Sequence, residues 1–370
     1  MGSDRHLRRR AFLAGLGGAS VAGAAGCLDI LDGEDDQEPF HWIGSGPGSR
    51  LGQDGTPMSA MPALEGELTL FSGRHEFLVR ALIDSIESLY DDFQVTPNYG
   101  GSSDLASTIL LEGDATDADV FFSVNAGALI NLAEEGRLRP LSDDLRDLVG
   151  EEFTGERWIA TSGRARTVPY NTDALTEEAV PDDVMAIPTD LDGTVGWAPT
   201  YGSCQAFVTA MRKLEGEDAT RSWLEDALDA GFEAYDDEMR VCEAIADGEI
   251  DAGLTNHYYI QRVRSNRDDA PIATAFTAGD AGAIFNVAGA GVVDATDEPE
   301  LAENFVRHLL SAEAQAYFAV ETFEYPMAPE VDPVGGLPRV SELEVPELDI
   351  AELSDLQATI DLMRDVGVDL

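Results

Sequence analysis

Three apolar runs alternating with helical periodicity limit the fold more than any other feature of the chain. Glu67-Leu68-Thr69-Leu70-Phe71-Ser72-Gly73 reads as a strand that ends in a tight turn. A helix follows, with Leu78, Leu82, Ile86 and Leu89 on one face and Val79 and Ile83 beside them. Gln94 to Asn98 reads as the next strand, and the Gly100-Gly101-Ser102-Ser103 turn leads to a helix from Asp104 to Glu112. Ala118 to Ser123 is the third strand, before a helix ending at Gly136. Strands and helices alternating at this spacing predict an α/β fold with a largely parallel, helix-covered sheet.

The chain does not start with this pattern. Arg8-Arg9-Arg10-Ala11-Phe12-Leu13 precedes a Gly/Ala-rich apolar stretch ending Ala24-Ala25-Gly26-Cys27. The stretch is too short to span a bilayer and reads as an export signal. Its arginines and Phe12-Leu13 resemble a twin-arginine signal, and Ala-Ala-Gly-Cys resembles a lipobox in which Cys27 is lipidated. Residues 28–64 are rich in Asp, Glu, Gly, Ser and Pro and read as a disordered acidic tether, with folding expected from Glu65.

The 71 acidic residues outnumber the 23 lysines and arginines, for a formal charge of −48, and Lys213 is the single lysine. Spread through helices and loops, this charge solvates the whole surface, and high salt screens its self-repulsion. The pattern resembles proteins of extreme halophiles. It excludes the basic footprint that nucleic-acid binding requires.

The chemistry concentrates at Thr255-Asn256-His257-Tyr258-Tyr259-Ile260. The preceding run from Ile250 to Leu254 reads as a short buried strand, and Asn256 is a suitable N-cap for the helix after it. Both phenols then sit in the first helical turn at a strand's C-terminal end, where open α/β sheets bind ligands. A phenol ionises near pH 10, but a hard, highly charged cation favours oxygen donors and holds the phenolate form. The pair therefore fits a ferric ion, but by itself fits two rings packed in a groove wall more readily. Besides Cys27, Cys204 and Cys242 remain; in an exported chain they are able to form one disulfide.

Further stretches carry a resemblance when taken in order: Ser72-Gly73-Arg74-His75-Glu76, Ala118-Asp119-Val120-Phe121-Phe122, Ser162-Gly163-Arg164-Ala165-Arg166, Tyr170-Asn171-Thr172-Asp173, Gly196-Trp197-Ala198-Pro199-Thr200 and Asn256-His257-Tyr258-Tyr259. Together they resemble the ferric-ion-binding proteins, extracytoplasmic receptors of iron(III) ABC transporters. The resemblance implies a two-lobed, type II periplasmic-binding-protein-like fold with a ligand cleft at the hinge. Lobe 1 would comprise residues 65–167 and 284–330 and lobe 2 residues 168–283. Crossing strands would lie near Arg166 to Tyr170 and Ala283 to Ala288. Residues 331–370 would be an extension with a helix from Leu353 to Val366.

By the same resemblance His75, Tyr201, Tyr258 and Tyr259 are the metal ligands. Gly202 and Ser203 would hold an accompanying anion at a helix start, with Arg164, Arg166 and Asn256. Glu238 replaces an Asn that contacts this anion in some relatives; a carboxylate there repels phosphate and leaves carbonate, or no anion, open. The family brings Cys204 and Cys242 close together, which favours a disulfide between them. The implied partners are ferric iron and ABC permease subunits, with the receptor a monomer held to the outer face of the membrane by its lipid. The chain has no Walker A sequence, so ATP hydrolysis would belong to another subunit. A receptor for another anion or an organic solute, such as sulfate or thiamine, is the alternative on the same fold. An exported metal-dependent hydrolase lacks support, since neither Gly-x-Ser-x-Gly nor His-Glu-x-x-His occurs.

Cys27→Ser is expected to release folded protein into the medium, because the lipid supplies the membrane affinity. Fractionation of cells and medium measures this, and equal membrane retention in the variant would rule the anchor out.

Overall fold

The computed structural model describes residues 55–348, 352–353 and 356–370. The export segment, Cys27 and residues 28–54 of the tether lie outside the described residues.

The leading pattern folds as its periodicity predicts. β1 (Gly66–Ser72), α1 (Glu76–Glu87), β2 (Phe93–Tyr99), α2 (Ser102–Glu112), β3 (Val120–Ser123) and α3 (Ala126–Glu134) follow in turn. β1 runs parallel to both β2 and β3. Side chains alternate across each strand, so Leu70 and Phe122 enter one core while Phe71 and Phe121 enter the core on the opposite face. α1 buries Val79, Leu82, Ile83 and Ile86, which leaves Leu78 and Leu89 half-buried at the edge of the stripe. A Cβ at Gly73 would fall 1.9 Å from the Ser102 hydroxyl, so glycine is what lets the end of β1 meet the start of α2.

After the short α4 (Asp143–Arg146) comes β4 (Ile159–Asn171), which serves both halves of the molecule. Its Ile159, Ala160 and Ala165 lie in the first core, and its Val168 and Tyr170 in a second. The second half is built from α5 (Ile187–Asp190), β5 (Val195–Trp197), α6 (Gly202–Leu214), α7 (Glu217–Asp229) and β6 (Glu233–Ala234). It continues with α8 (Glu238–Ala246), β7 (Ala252–Gly253), β8 (Thr255–Asn256), α9 (His257–Asn266) and β9 (Ile272–Ala275). β10 (Phe285–Val292) then returns antiparallel between β3 and β4. α10 (Pro299–His308), α11 (Ala312–Tyr317), β11 (Tyr325–Pro326) and α12 (Leu356–Val366) complete the chain.

The strands order as β2-β1-β3-β10-β4-β7-β5-β6, with β8, β9 and β11 also pairing with β4. The fold is α/β and two-lobed, and its sheet is mixed, because every described partner of β4 runs antiparallel to it. β4 passes from the first half's strands to the second's between two residues: Ala165 faces Phe285 of β10, and the next residue, Arg166, faces Asn256 of β8.

Two expectations change. Packed structure begins before Glu65: Met58, Met61 and Leu64 are buried, and the Met58 N–H donates to Glu313 Oε2 at 2.7 Å. Apolar residues spaced by three let this segment cover α11 despite its polar composition. The C-terminal extension, with no lobe assignable from sequence, places α12 on α6 and α7: Leu362 and Met363 enter the second core, and Thr359 Oγ1 lies 2.7 Å from Thr209 Oγ1.

Met58→Ala is expected to cost roughly 2–5 kcal/mol, the usual range for emptying a buried Met site. Denaturant unfolding at high salt measures it; a change within experimental error would show that the segment is not part of the core.

Candidate metal centre

The start of α9 carries the site. Asn256 takes the N-cap position, but its side chain does not cap the helix; Nδ2 instead donates to the Tyr258 hydroxyl at 3.4 Å. The rings of Tyr258 and Tyr259 lie 4.3 Å apart at 44°. Tyr201 holds the N-cap position of α6, and its hydroxyl is 2.8 Å from that of Tyr259. Two helix starts therefore aim three phenols at one place. Arg262, one turn further along α9, lies over both rings of the pair, 5.0 Å from the Tyr258 centroid and 5.6 Å from that of Tyr259.

Tyr258 and Tyr259 are only 9% and 7% exposed, and burial pushes both phenols above their ordinary value. For Tyr259 the neighbouring Tyr258, the hydrogen bonds with Tyr201 and Tyr258, and the Glu238 carboxylate push the same way. For Tyr258 the Arg164 guanidinium opposes the shift. Both are protonated at neutral pH, so a metal must expel protons to bind them.

Behind the phenols lies a buried ion pair. Glu238, at the start of α8 and fully buried, accepts from Arg166 Nη1, from Ser203 Oγ and, at 2.9 Å, from the Asn256 N–H. Arg166 also donates to the Leu254 carbonyl at 2.6 Å and lies over the Phe207 ring. His257 points the other way. Its Nδ1 accepts from the Ala165 N–H at 3.2 Å, and Nε2 is 2.8 Å from the Phe323 carbonyl, which leaves the ring neutral. Burial pushes it down to about 4. Phe323 is the one non-glycine described residue with a left-handed backbone, φ 60°.

Arg164, Gly202, Ser203 and Asn256 line one cleft of about 490 Å³, facing Val124 and Asn125 of the first half. Arg166 does not join them; its guanidinium is committed to Glu238 and is 1% exposed. Arg164 donates to the Val124 carbonyl across the cleft. His75 lies outside the phenol cluster, on the exposed lip of α1, with its ring stacked 5.7 Å from Phe77. Phe77 and Arg262 line the same groove, so the lip faces α9. Among the described residues no group of three His, Cys, Asp or Glu side chains is placed to hold a metal.

The disulfide is a correction. Cys204 and Cys242 are both free and buried, and the Cys242 thiol lies against Thr255 Oγ1 at 3.5 Å. Cys204 sits beside Arg166 and the Ala198 backbone, and burial pushes its thiol up to about 12. The hydrogen bond from Ser203 Oγ to Glu238 already ties these segments together.

Residues 81–342 match the family of bacterial extracellular solute-binding proteins. The major ferric iron-binding protein of Neisseria meningitidis is 29% identical over 318 residues, covering 84% of this chain and 95% of that protein. The structure of iron-bound HitA from Pseudomonas aeruginosa is 30% identical with a TM-score of 0.70, over 82% of this chain and 99% of that one. Trichodesmium IdiA (FutA), solved with iron and citrate, is 25% identical with a TM-score of 0.68, over 82% of this chain and all of that one.

Cys204 and Cys242 are expected to resist a thiol reagent in the native protein and to give two free thiols on unfolding without reductant. A single bond between them, found by mass analysis of unreduced protein, would restore the disulfide.

Proposed function

The chain belongs to the bacterial extracellular solute-binding proteins, and we propose that its solute is ferric iron, bound by Tyr201, Tyr258 and Tyr259 as phenolates and passed to an ABC permease. It is a binding receptor rather than an enzyme, as are the relatives named for iron binding. The convergence of the three phenol oxygens carries the reading. Three phenolates balance three positive charges, and such hard oxygen donors suit a small trivalent ion.

His75 would join from the α1 lip when the lobes close, by rotation about the β4 and β10 crossing. A neutral imidazole adds a bond without altering the charge balance. Arg262 would steady the phenol faces from the side away from the metal. The donors expected for a carbonate are fewer than the resemblance implied, because Glu238 occupies Arg166, Ser203 Oγ and the Asn256 N–H. A lipid on Cys27 would hold the receptor at the outer face of the membrane; among the described residues no helix is long and apolar enough to cross one.

Ferric iron added to the apo protein is expected to give a visible tyrosinate-to-iron charge-transfer band and to release protons. Falling pH weakens binding, since protons compete for the phenolate oxygens. Tyr258→Phe and Tyr259→Phe each keep the ring and remove a donor, and each should weaken binding by about tenfold or more. Tyr201→Phe should weaken binding and shift the band, and His75→Ala should be milder. Titration by absorbance measures all four, and parental binding by both Tyr258→Phe and Tyr259→Phe would overturn the site.

A further inference from the structure

We propose that Glu238 is the site's own counter-anion: its carboxylate fills the anion-binding donors beside the tyrosines, so iron binds without an external carbonate or phosphate. The inference rests on the ferric reading and specifies what accompanies the metal.

The donors around Glu238 form an anion cradle drawn from three elements. Ser203 is the second residue of α6, Asn256 offers its N–H just before α9, and Arg166 brings a full charge from β4. Helix starts and a guanidinium are the groups that hold a bound oxyanion. Here a carboxylate of the chain occupies them, with Glu238 completely buried and supported by the first turn of α8. A tethered carboxylate forgoes the loss of translational freedom that a free anion incurs on binding.

The carboxylate is also linked to the metal donors. Asn256, which gives its N–H to Glu238, gives its side-chain amide to the Tyr258 hydroxyl. Through Asn256 the buried carboxylate sits one residue's hydrogen bonds away from the phenols, with its negative charge on their side of the cleft wall. A second anion entering this cradle would meet that charge in a poorly screened interior.

The test delivers iron as ferrous chloride oxidised by oxygen in carbonate-free high-salt buffer, so that no chelating anion enters. The parent protein should develop the tyrosinate band fully, with less than about a twofold change in affinity when bicarbonate or phosphate is added. Glu238→Ala should lose about tenfold or more and recover with millimolar bicarbonate or acetate, which refill the cradle. Glu238→Gln retains the volume and carries the test if the alanine variant does not fold: it should lose affinity without recovery by anions. A parent band that requires added bicarbonate or phosphate would overturn the proposal, as would parental affinity in a folded Glu238→Gln. If the parent shows no band with any anion, the ferric reading itself falls, and this inference falls with it.

Discussion

A guanidinium taken out of water costs several kcal/mol unless its charge and its donors are met. Arg166 is buried where β4 changes partners: Glu238 meets its charge and one Nη, the Leu254 carbonyl accepts from the other, and the Phe207 ring lies against its face. Glu238 in turn fixes the starts of α6 and α9, the two elements that carry the phenols. Such a pair is weak support for stability as a whole, but removing one partner strands the other charge at a cost of about 3–5 kcal/mol. The positions of Tyr201, Tyr258 and Tyr259 therefore depend on a contact that itself touches no metal.

The electrostatics invert between surface and interior. Acidic residues outnumber basic ones three to one, 71 against 23, and this acidity is spread over solvated positions. A few of the scarce arginines turn inward: Arg74 pairs with buried Glu324 at 2.5 Å, Arg166 with Glu238, and the half-buried Arg164 and Arg262 flank the phenols. A strongly acidic surface can thus coexist with a site whose buried ion pair is hardly exposed to salt, because buried pairs are screened much less than exposed ones.

Local pattern made much of this legible. β1 to α3 follow from apolar periodicity, and the start of α9 follows from Asn256 and the run before it. The phenols of Tyr258 and Tyr259 were visible as adjacent residues, and Arg262 could have been found from its one-turn spacing to them. What stayed hidden depends on distant pairing. Nothing near Glu238 in sequence says that it meets Arg166, 72 positions away, rather than a ligand. The packed Met58 segment was masked by its polar neighbours, and the fate of the thiols was decided by burial beside an ion pair. For the helix-start tyrosine, Tyr201, the nearness to Tyr259 across 58 positions came only from resemblance.

The place of β10 has a consequence for how the molecule is made. In the first half of the sheet β10 separates β3 from β4, yet it is synthesised only after the entire second half. Until Phe285–Val292 emerges, β3 and β4 present unpaired edges, the kind of surface that recruits other strands. The N-terminal half of the polypeptide therefore cannot mature ahead of the rest, and its completion waits on contacts of long sequence separation, which form slowly. A nascent chain halted before Phe285 would be not a smaller receptor but an aggregation-prone fragment.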